Sequence, residues 1–322
     1  MRTDRVLFFS EPFPDAPVER LSAFGEAVVG TRGVRGPDFA GFAPRIEALM
    51  TVVADTVGET LLASLPRLRV VANIAVGYDN IDLAACARRN VIVTNTADAP
   101  AEATADLALT LLLDVARRVS ESDRYLRAGR WVGWTPTLML GTCVHRMTLG
   151  IVGMGRIGRG VARRARGFGM QVLYTQRTPL SADEERALGV AYRSLDALLP
   201  ECDAVSLHRP LTAETTGLMN AERFAAMKKG AFFINTTRGK TVDEQALIAA
   251  LASGHLGGAG LDVFVDEPHV PAPLLAMENV VLCPHIGSAD RATRGQMAGR
   301  AIENVVRVMR GEPPLDPVPL PI

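Results

Sequence analysis

The chain has 322 residues, with 35 basic and 35 acidic side chains for a formal net charge of zero, and 48% of its residues are hydrophobic. That length suggests two domains with real cores, and a charged fraction of 22% excludes both disorder and collagen-like order. Balanced charge leaves no electrostatic footprint for nucleic acid, which favours small-molecule chemistry.

From the amino end, Met1 to Ser10 holds too short an apolar run for a secretory leader. Short apolar runs then alternate with helical patterns: Val6 to Phe9, Val70 to Ile74, Val91 to Val93, Leu149 to Val152, Val172 to Tyr174, Ala204 to Leu207, Ala231 to Ile234 and Val280 to Leu282. Runs rich in β-branched residues, continuous and not alternating, predict strands buried on both faces, hence an α/β protein with parallel sheets. Two longer helices are predicted, about Ala101 to Ala128 and about Ala289 to Arg310, and Ser181 to Glu184 and Thr241 to Glu244 have the spacing of capping boxes. The most apolar stretch, Leu107 to Ala116, is broken by Asp114 and falls far below the roughly 20 residues of a membrane helix. Cys86, Cys143, Cys202 and Cys283 are widely spaced, which suits thiols in a reducing compartment better than disulfides or a metal site. A cytoplasmic protein with no membrane partner and no metal is the expectation.

The strongest motif starts near residue 150 and leaves only a short tail after the second long helix, too small for a domain of its own. Residues 1–98 and 291–322 are therefore expected to form one domain, interrupted by a second, 99–290, with the active site in a cleft between them.

Leu149-Gly-Ile-Val-Gly153-Met-Gly155-Arg-Ile-Gly158 runs from a strand through G-x-G-x-x-G into a helical pattern, and a second strand follows at Gln171 to Thr175. In a dinucleotide site Gly153 would make the tight turn, Gly155 would admit the pyrophosphate, and Gly158 would allow close helix–sheet packing. An NAD site usually carries Asp or Glu at the end of the second strand, but this chain reads Tyr174-Thr-Gln176-Arg177-Thr178. Gln176 replaces the acid, and Arg177 with Thr178 suits a 2′-phosphate, so NADP(H) is preferred and NAD(H) is the second choice.

Val76-Gly77-Tyr-Asp79-Asn-Ile-Asp82, Phe233-Ile-Asn-Thr-Thr-Arg238-Gly239, Gly260-Leu-Asp262-Val-Phe-Val-Asp-Glu267-Pro268 and Cys283-Pro-His285-Ile-Gly-Ser288 resemble, in order, the signature segments of the D-isomer-specific 2-hydroxyacid dehydrogenases. Trp134-Thr-Pro-Thr-Leu-Met-Leu-Gly141 and Tyr174-Thr-Gln-Arg177-Thr are most similar to the glyoxylate/hydroxypyruvate reductase branch. The resemblance implies two Rossmann-like parallel-sheet domains, with the cofactor domain inserted into a discontinuous, flavodoxin-like substrate domain. It implies Arg238, Glu267 and His285 as the catalytic set, and Val76 and Gly77 as backbone donors to the substrate carboxylate. Thr104, Arg156, Ile157, Pro210, Thr236, Asp262 and Gly287 would join the glycines and Gln176, Arg177 and Thr178 around the cofactor. His285 would donate the proton, Glu267 would orient it, Arg238 would clamp the carboxylate of a 2-keto acid, and Asp262 would meet the nicotinamide carboxamide.

Glu267 where formate dehydrogenases carry Gln, and Val76 where phosphite dehydrogenases carry Lys, argue against those substrates. Arg209 departs from the family, which commonly has a small or apolar residue there. The expected function is reduction of glyoxylate, hydroxypyruvate or a similar 2-keto acid by a homodimer, with the long helix from Ala101 and the Trp131 to Gly141 segment as contact surfaces. The alternative is a nucleotide-sensing binding protein of the C-terminal-binding corepressor type.

Overall fold

In the computed structural model, which describes residues 4–321, all pairings between strands are parallel. The chain divides into two units, Met1–Pro100 with Ser288–Ile322, and Ala101–Gly287.

In the first unit, β1 (Val6–Phe9), β2 (Glu26–Val29), β3 (Ile46–Thr51), β4 (Val70–Asn73) and β5 (Ile92–Thr94) lie in the order β2-β1-β3-β4-β5, that of flavodoxin-like sheets. Successive strand residues face opposite sides. Val6, Phe8, Leu49 and Val71 build one core layer, while Leu7, Phe9, Ala48, Met50 and Ala72 build the other. The second layer is completed by Ala298, Ile302 and Val305 of the helix Arg291–Met309. Burial of that apolar stripe is why the end of the chain packs with its beginning.

The second unit has seven strands: β6 (Thr148–Val152), β7 (Gln171–Thr175), β8 (Val190–Tyr192), β9 (Ala204–Leu207), β10 (Phe232–Asn235), β11 (Gly258–Leu261) and β12 (Val280–Leu282). Their order is β12-β11-β10-β9-β6-β7-β8, a doubly wound sheet whose strand sequence reverses between β6 and β9.

Strands β2, β3, β8 and β11 have no counterpart among the expected ones. β11, Gly-Ala-Gly-Leu, lacks any β-branched signal, and its glycines answer a tertiary demand. A Cβ on Gly260 would stand 2.7 Å from Leu111 Cβ, and one on Gly258 2.6 Å from Val115 Cγ2, because the helix Ala101–Arg117 lies directly on the strand. That helix is also shorter than expected. It stops at Arg117, and a second helix runs Val119–Arg127 after Arg118 turns left-handed at φ 57°. Asp114 accepts from both the N–H and the hydroxyl of Ser120, and the Arg118 guanidinium pairs with the buried Glu121 carboxylate at 2.7 and 2.6 Å, so the break is built in. The Ser181–Glu184 capping box is present. The Thr241 one is not: Asp243 caps the helix Glu244–Ala252, and the Thr241 hydroxyl donates to the Arg238 carbonyl.

Candidate active site

Neighbouring strands β10, β11 and β12 each deliver one of the expected catalytic residues just past their carboxyl ends, where open α/β sheets hold ligands. After β10, the buried Asn235 side chain accepts from the Thr237 N–H and hydroxyl and donates to the Arg238 carbonyl, folding the loop that presents Arg238. After β11, Glu267 Oε1 accepts from the Phe264 N–H at 3.0 Å. Its other oxygen, Oε2, lies 2.8 Å from His285 Nδ1, and the two side chains are 34% and 29% exposed. Burial pushes the Glu267 carboxyl up, but the hydrogen bond and charge of His285, the Phe264 N–H and the Arg238 charge outweigh it and hold the group below the usual carboxylate range.

His285 has φ 55°, a left-handed conformation uncommon for a residue with a Cβ, and the backbone around it is correspondingly over-determined. Its N–H donates to the Asp262 carbonyl, and the Ile286 and Gly287 N–H groups donate to Asp262 Oδ1 and Oδ2 at 2.7 and 2.8 Å. The Thr104 hydroxyl donates to the Gly287 carbonyl at 3.1 Å. Thr104, Asp262 and Gly287, expected at the cofactor, are thus joined into a clamp on the His285 loop. Burial pushes the Asp262 carboxyl up, against the two backbone donors and the His285 charge.

Gly239 ties the loops together. A Cβ there would stand 1.9 Å from the Phe264 carbonyl carbon, so the backbone after Arg238 lies on the backbone that leads to Glu267. The His285–Glu267 pair forms part of the wall of a cavity of about 250 Å³, whose other sides are apolar and include Phe264, Pro268 and Leu282. Asn235 and Gly239 escaped the sequence reading as functional positions. A polar Asn-Thr-Thr cluster at a strand end is the signal that marks the first, whereas nothing local marks the second.

Among the cofactor candidates, Gly153 (φ 107°) makes the turn after β6 against the β9 end, where a Cβ would lie 2.8 Å from the His208 carbonyl. A Cβ on Gly158 would meet the Gly153 carbonyl oxygen at 2.2 Å, so helix and strand end approach as only glycine permits. Gly155 faces open space and begins the helix Arg156–Gly167, whose first turn has no acidic residue and no side-chain cap. Ile157 packs on the core, and Arg156 is exposed. Buried Thr236 Oγ1 and His208 Nδ1 at the ends of β10 and β9 have no hydrogen-bond partner among the described residues. A helix start without acidic residues or a side-chain cap, an open glycine and orphaned buried polar atoms along one sheet edge fit a dinucleotide. At the end of β7, Gln176 donates to the Thr178 carbonyl at 2.6 Å. Arg177 is 81% exposed, its guanidinium 3.8 Å from Glu214. Pro210 is exposed just after β9.

Val76 and Gly77 lie in the first unit, on the loop after β4. Their carbonyls accept from the Asn95 and Asn73 side chains at 2.8 Å each, while their N–H groups have no partner among the described residues. A larger cavity of about 620 Å³ sits at the opposite, amino ends of β4 and β5. Its arginines 67, 69 and 89 already pair with Asp4, Glu47 and Glu59, and it has no part in this chemistry.

Residues 109–287 match the family model described as "D-isomer specific 2-hydroxyacid dehydrogenase, NAD binding domain". A glyoxylate reductase of Korarchaeum cryptofilum is 50% identical over 270 residues, 83% of this chain and 81% of that protein. A glyoxylate reductase of Aeropyrum pernix is 43% identical over 98% of this chain and 95% of its own length. Among solved structures, an NADPH-dependent glyoxylate/hydroxypyruvate reductase of Sinorhizobium meliloti, in complex with NADP and malonate, superposes with a TM-score of 0.86 at 34% identity, covering 98% of this chain and 97% of that one.

Proposed function

The chain belongs to the D-isomer specific 2-hydroxyacid dehydrogenase family, and we propose that it reduces glyoxylate, hydroxypyruvate or a similar short 2-keto acid to the D-2-hydroxy acid, with a preference for NADPH. The observation that carries the reading is the 2.8 Å His285–Glu267 pair, which shares one sheet edge with Arg238.

A bound nicotinamide supplies the hydride to the carbonyl carbon. The chain supplies the rest. Nδ1–H of His285 donates to a carboxylate that only accepts, so Nε2, which has no partner among the described residues, is the nitrogen that delivers the proton to the keto oxygen. Glu267 stays bonded to Nδ1–H throughout, fixing the ring and stabilising the positive charge it carries before the transfer. Apolar side chains, Phe264, Pro268 and Leu282 among them, line the cavity beside the pair. Arg238 clamps the substrate carboxylate through its planar fork.

The NADPH preference rests on Gln176, which offers no carboxylate, and on the exposed Arg177 beside it. The segment after Arg130 supports a homodimer: Trp131 is 54%, Val132 98% and Trp134 79% exposed, apolar surface of the kind that a second copy covers. Two of the four thiols, Cys86 and Cys202, are buried and unpaired, which supports a cytoplasmic setting. No helix among the described residues is long and apolar enough to cross a membrane. The corepressor-like alternative is not favoured, since a relative that matches along nearly the whole chain is a glyoxylate reductase.

Initial rates with glyoxylate, hydroxypyruvate and pyruvate, each with NADPH and NADH, test the proposal. Turnover of a short 2-keto acid, faster with NADPH, is expected, and no turnover with any pair would sink it. Sedimentation of the native chain and of Trp134→Glu tests the dimer, which the variant should weaken; a monomeric native chain would refute it.

A further inference from the structure

β6 and β9 are neighbours from which the sheet is wound in opposite directions, and the crevice at their carboxyl ends is formed by Gly153 on one side and by His208 and Arg209 on the other. The His208 N–H donates to the Val152 carbonyl at 2.8 Å, fixing the second side against the first. A Cβ on Gly153 would stand 2.9 Å from Arg209 Cγ, so the aliphatic stem of Arg209 lies across the turn that opens the glycine-rich loop.

Arg209 is half-buried, yet its side chain makes no hydrogen bond or ion pair with another described residue. A guanidinium carries five donors, and with no acceptor among the described residues they are available to an anion. Protein carboxylates do not supply it: Glu214, in the loop that follows, lies 3.8 Å from Arg177 instead. The adjacent imidazole adds no charge of its own, because burial brings His208 down to about 3 while its Nε2 pairs with Ser206. Two residues beyond Gly153, Gly155 faces open space at a helix start without acidic side chains.

We propose that Arg209 is a phosphate-binding residue of the nucleotide site, contacting the pyrophosphate of the dinucleotide. Its stem rests on Gly153 and not on the end of β7, where Arg177 stands, so the bridging phosphates and not the 2′-phosphate are its partner. The proposal rests on the dinucleotide reading above, and it gives this chain a fixed cation where the family pattern expects a small or apolar residue.

Isothermal titration of NADPH and NADH into the native protein, Arg209→Ala and Arg209→Lys tests it without turnover. Arg209→Ala should raise the Kd of both cofactors by the same factor, about tenfold for one charge-assisted contact. Arg209→Lys, which keeps the charge but loses the fork, should fall between. Loss confined to NADPH would place the residue on the 2′-phosphate and overturn the assignment. Unchanged affinity for both cofactors would also overturn it, including the case in which only the KM of the keto acid rises. If Arg209→Ala loses its folded circular dichroism, Arg209→Gln takes its place in the same titrations. A native chain that binds neither dinucleotide would overturn the cofactor reading itself, a failure visible before any variant is made.

Discussion

Gly239→Ala should separate Arg238 from Glu267 without altering either side chain. The added Cβ would lie 1.9 Å from the Phe264 carbonyl carbon, 2.1 Å from its oxygen and 2.3 Å from the Val265 nitrogen. Carbon atoms in contact sit about 3.5 Å apart, so one backbone must yield by about 1.6 Å, the difference between 3.5 and 1.9. No flexible side chain can absorb this, since all three obstacles are main-chain atoms. The Phe264 N–H donates to Glu267 Oε1, so displacement of the β11 loop reaches the carboxylate that holds His285; displacement of the other side moves Arg238. A misplacement of about 1 Å in a catalytic geometry costs on the order of 100-fold in rate, and overpacking of this kind costs about 1–3 kcal/mol of stability. The expected result is a kcat/KM for glyoxylate lower by on the order of 100-fold, a lowered Tm and a little-changed Kd for NADPH. Nicotinamide absorbance gives the rate and calorimetry the Kd. A variant with native kcat/KM, or one whose whole loss lies in cofactor affinity, would refute the coupling through Gly239.

His285→Ala should lower kcat by about 10² to 10⁴, the usual worth of a positioned proton donor, while NADPH still binds; an active variant would remove the residue from its role. Arg177→Ala should weaken NADPH much more than NADH, and equal weakening in a titration of both would contradict the 2′-phosphate contact. Glu267 predicts a pH dependence of stability. Its carboxyl is held below its ordinary value, so the stabilisation it contributes is present above the unfolded-state pKa, about 4.3, and is lost as pH falls through the lower folded value. Thermal unfolding of the native chain should therefore decline more steeply on acidification below about pH 4 than that of Glu267→Gln, and parallel curves would speak against the pairing.

Much of the fold is local in origin and legible without coordinates. Strands β6, β7 and β9 are apolar runs, which are stable only when buried on both faces, and a glycine-rich turn between such a strand and a helix already specifies a phosphate-sized opening. Arg238 and His285 each follow an apolar run legible in the sequence, and the family resemblance joins them with Glu267 into one set. Other features depend on partners far along the chain. At the helix break the Arg118 guanidinium donates to the Leu140 carbonyl at 3.3 Å, and the helix Ala101–Arg117 covers the glycines of β11. Asp262 turns its carboxylate to the backbone of the His285 loop, a role invisible until β11 and β12 lie side by side. Gly239 and Arg209 make the same point from opposite directions. One is a glycine because a distant backbone leaves no room, and the other a half-buried cation with no acceptor among the described residues. Composition and periodicity determine which segments are buried and where the chain turns, whereas which groups meet, and which are left needing a ligand, is decided only when the strands take their places in the sheet.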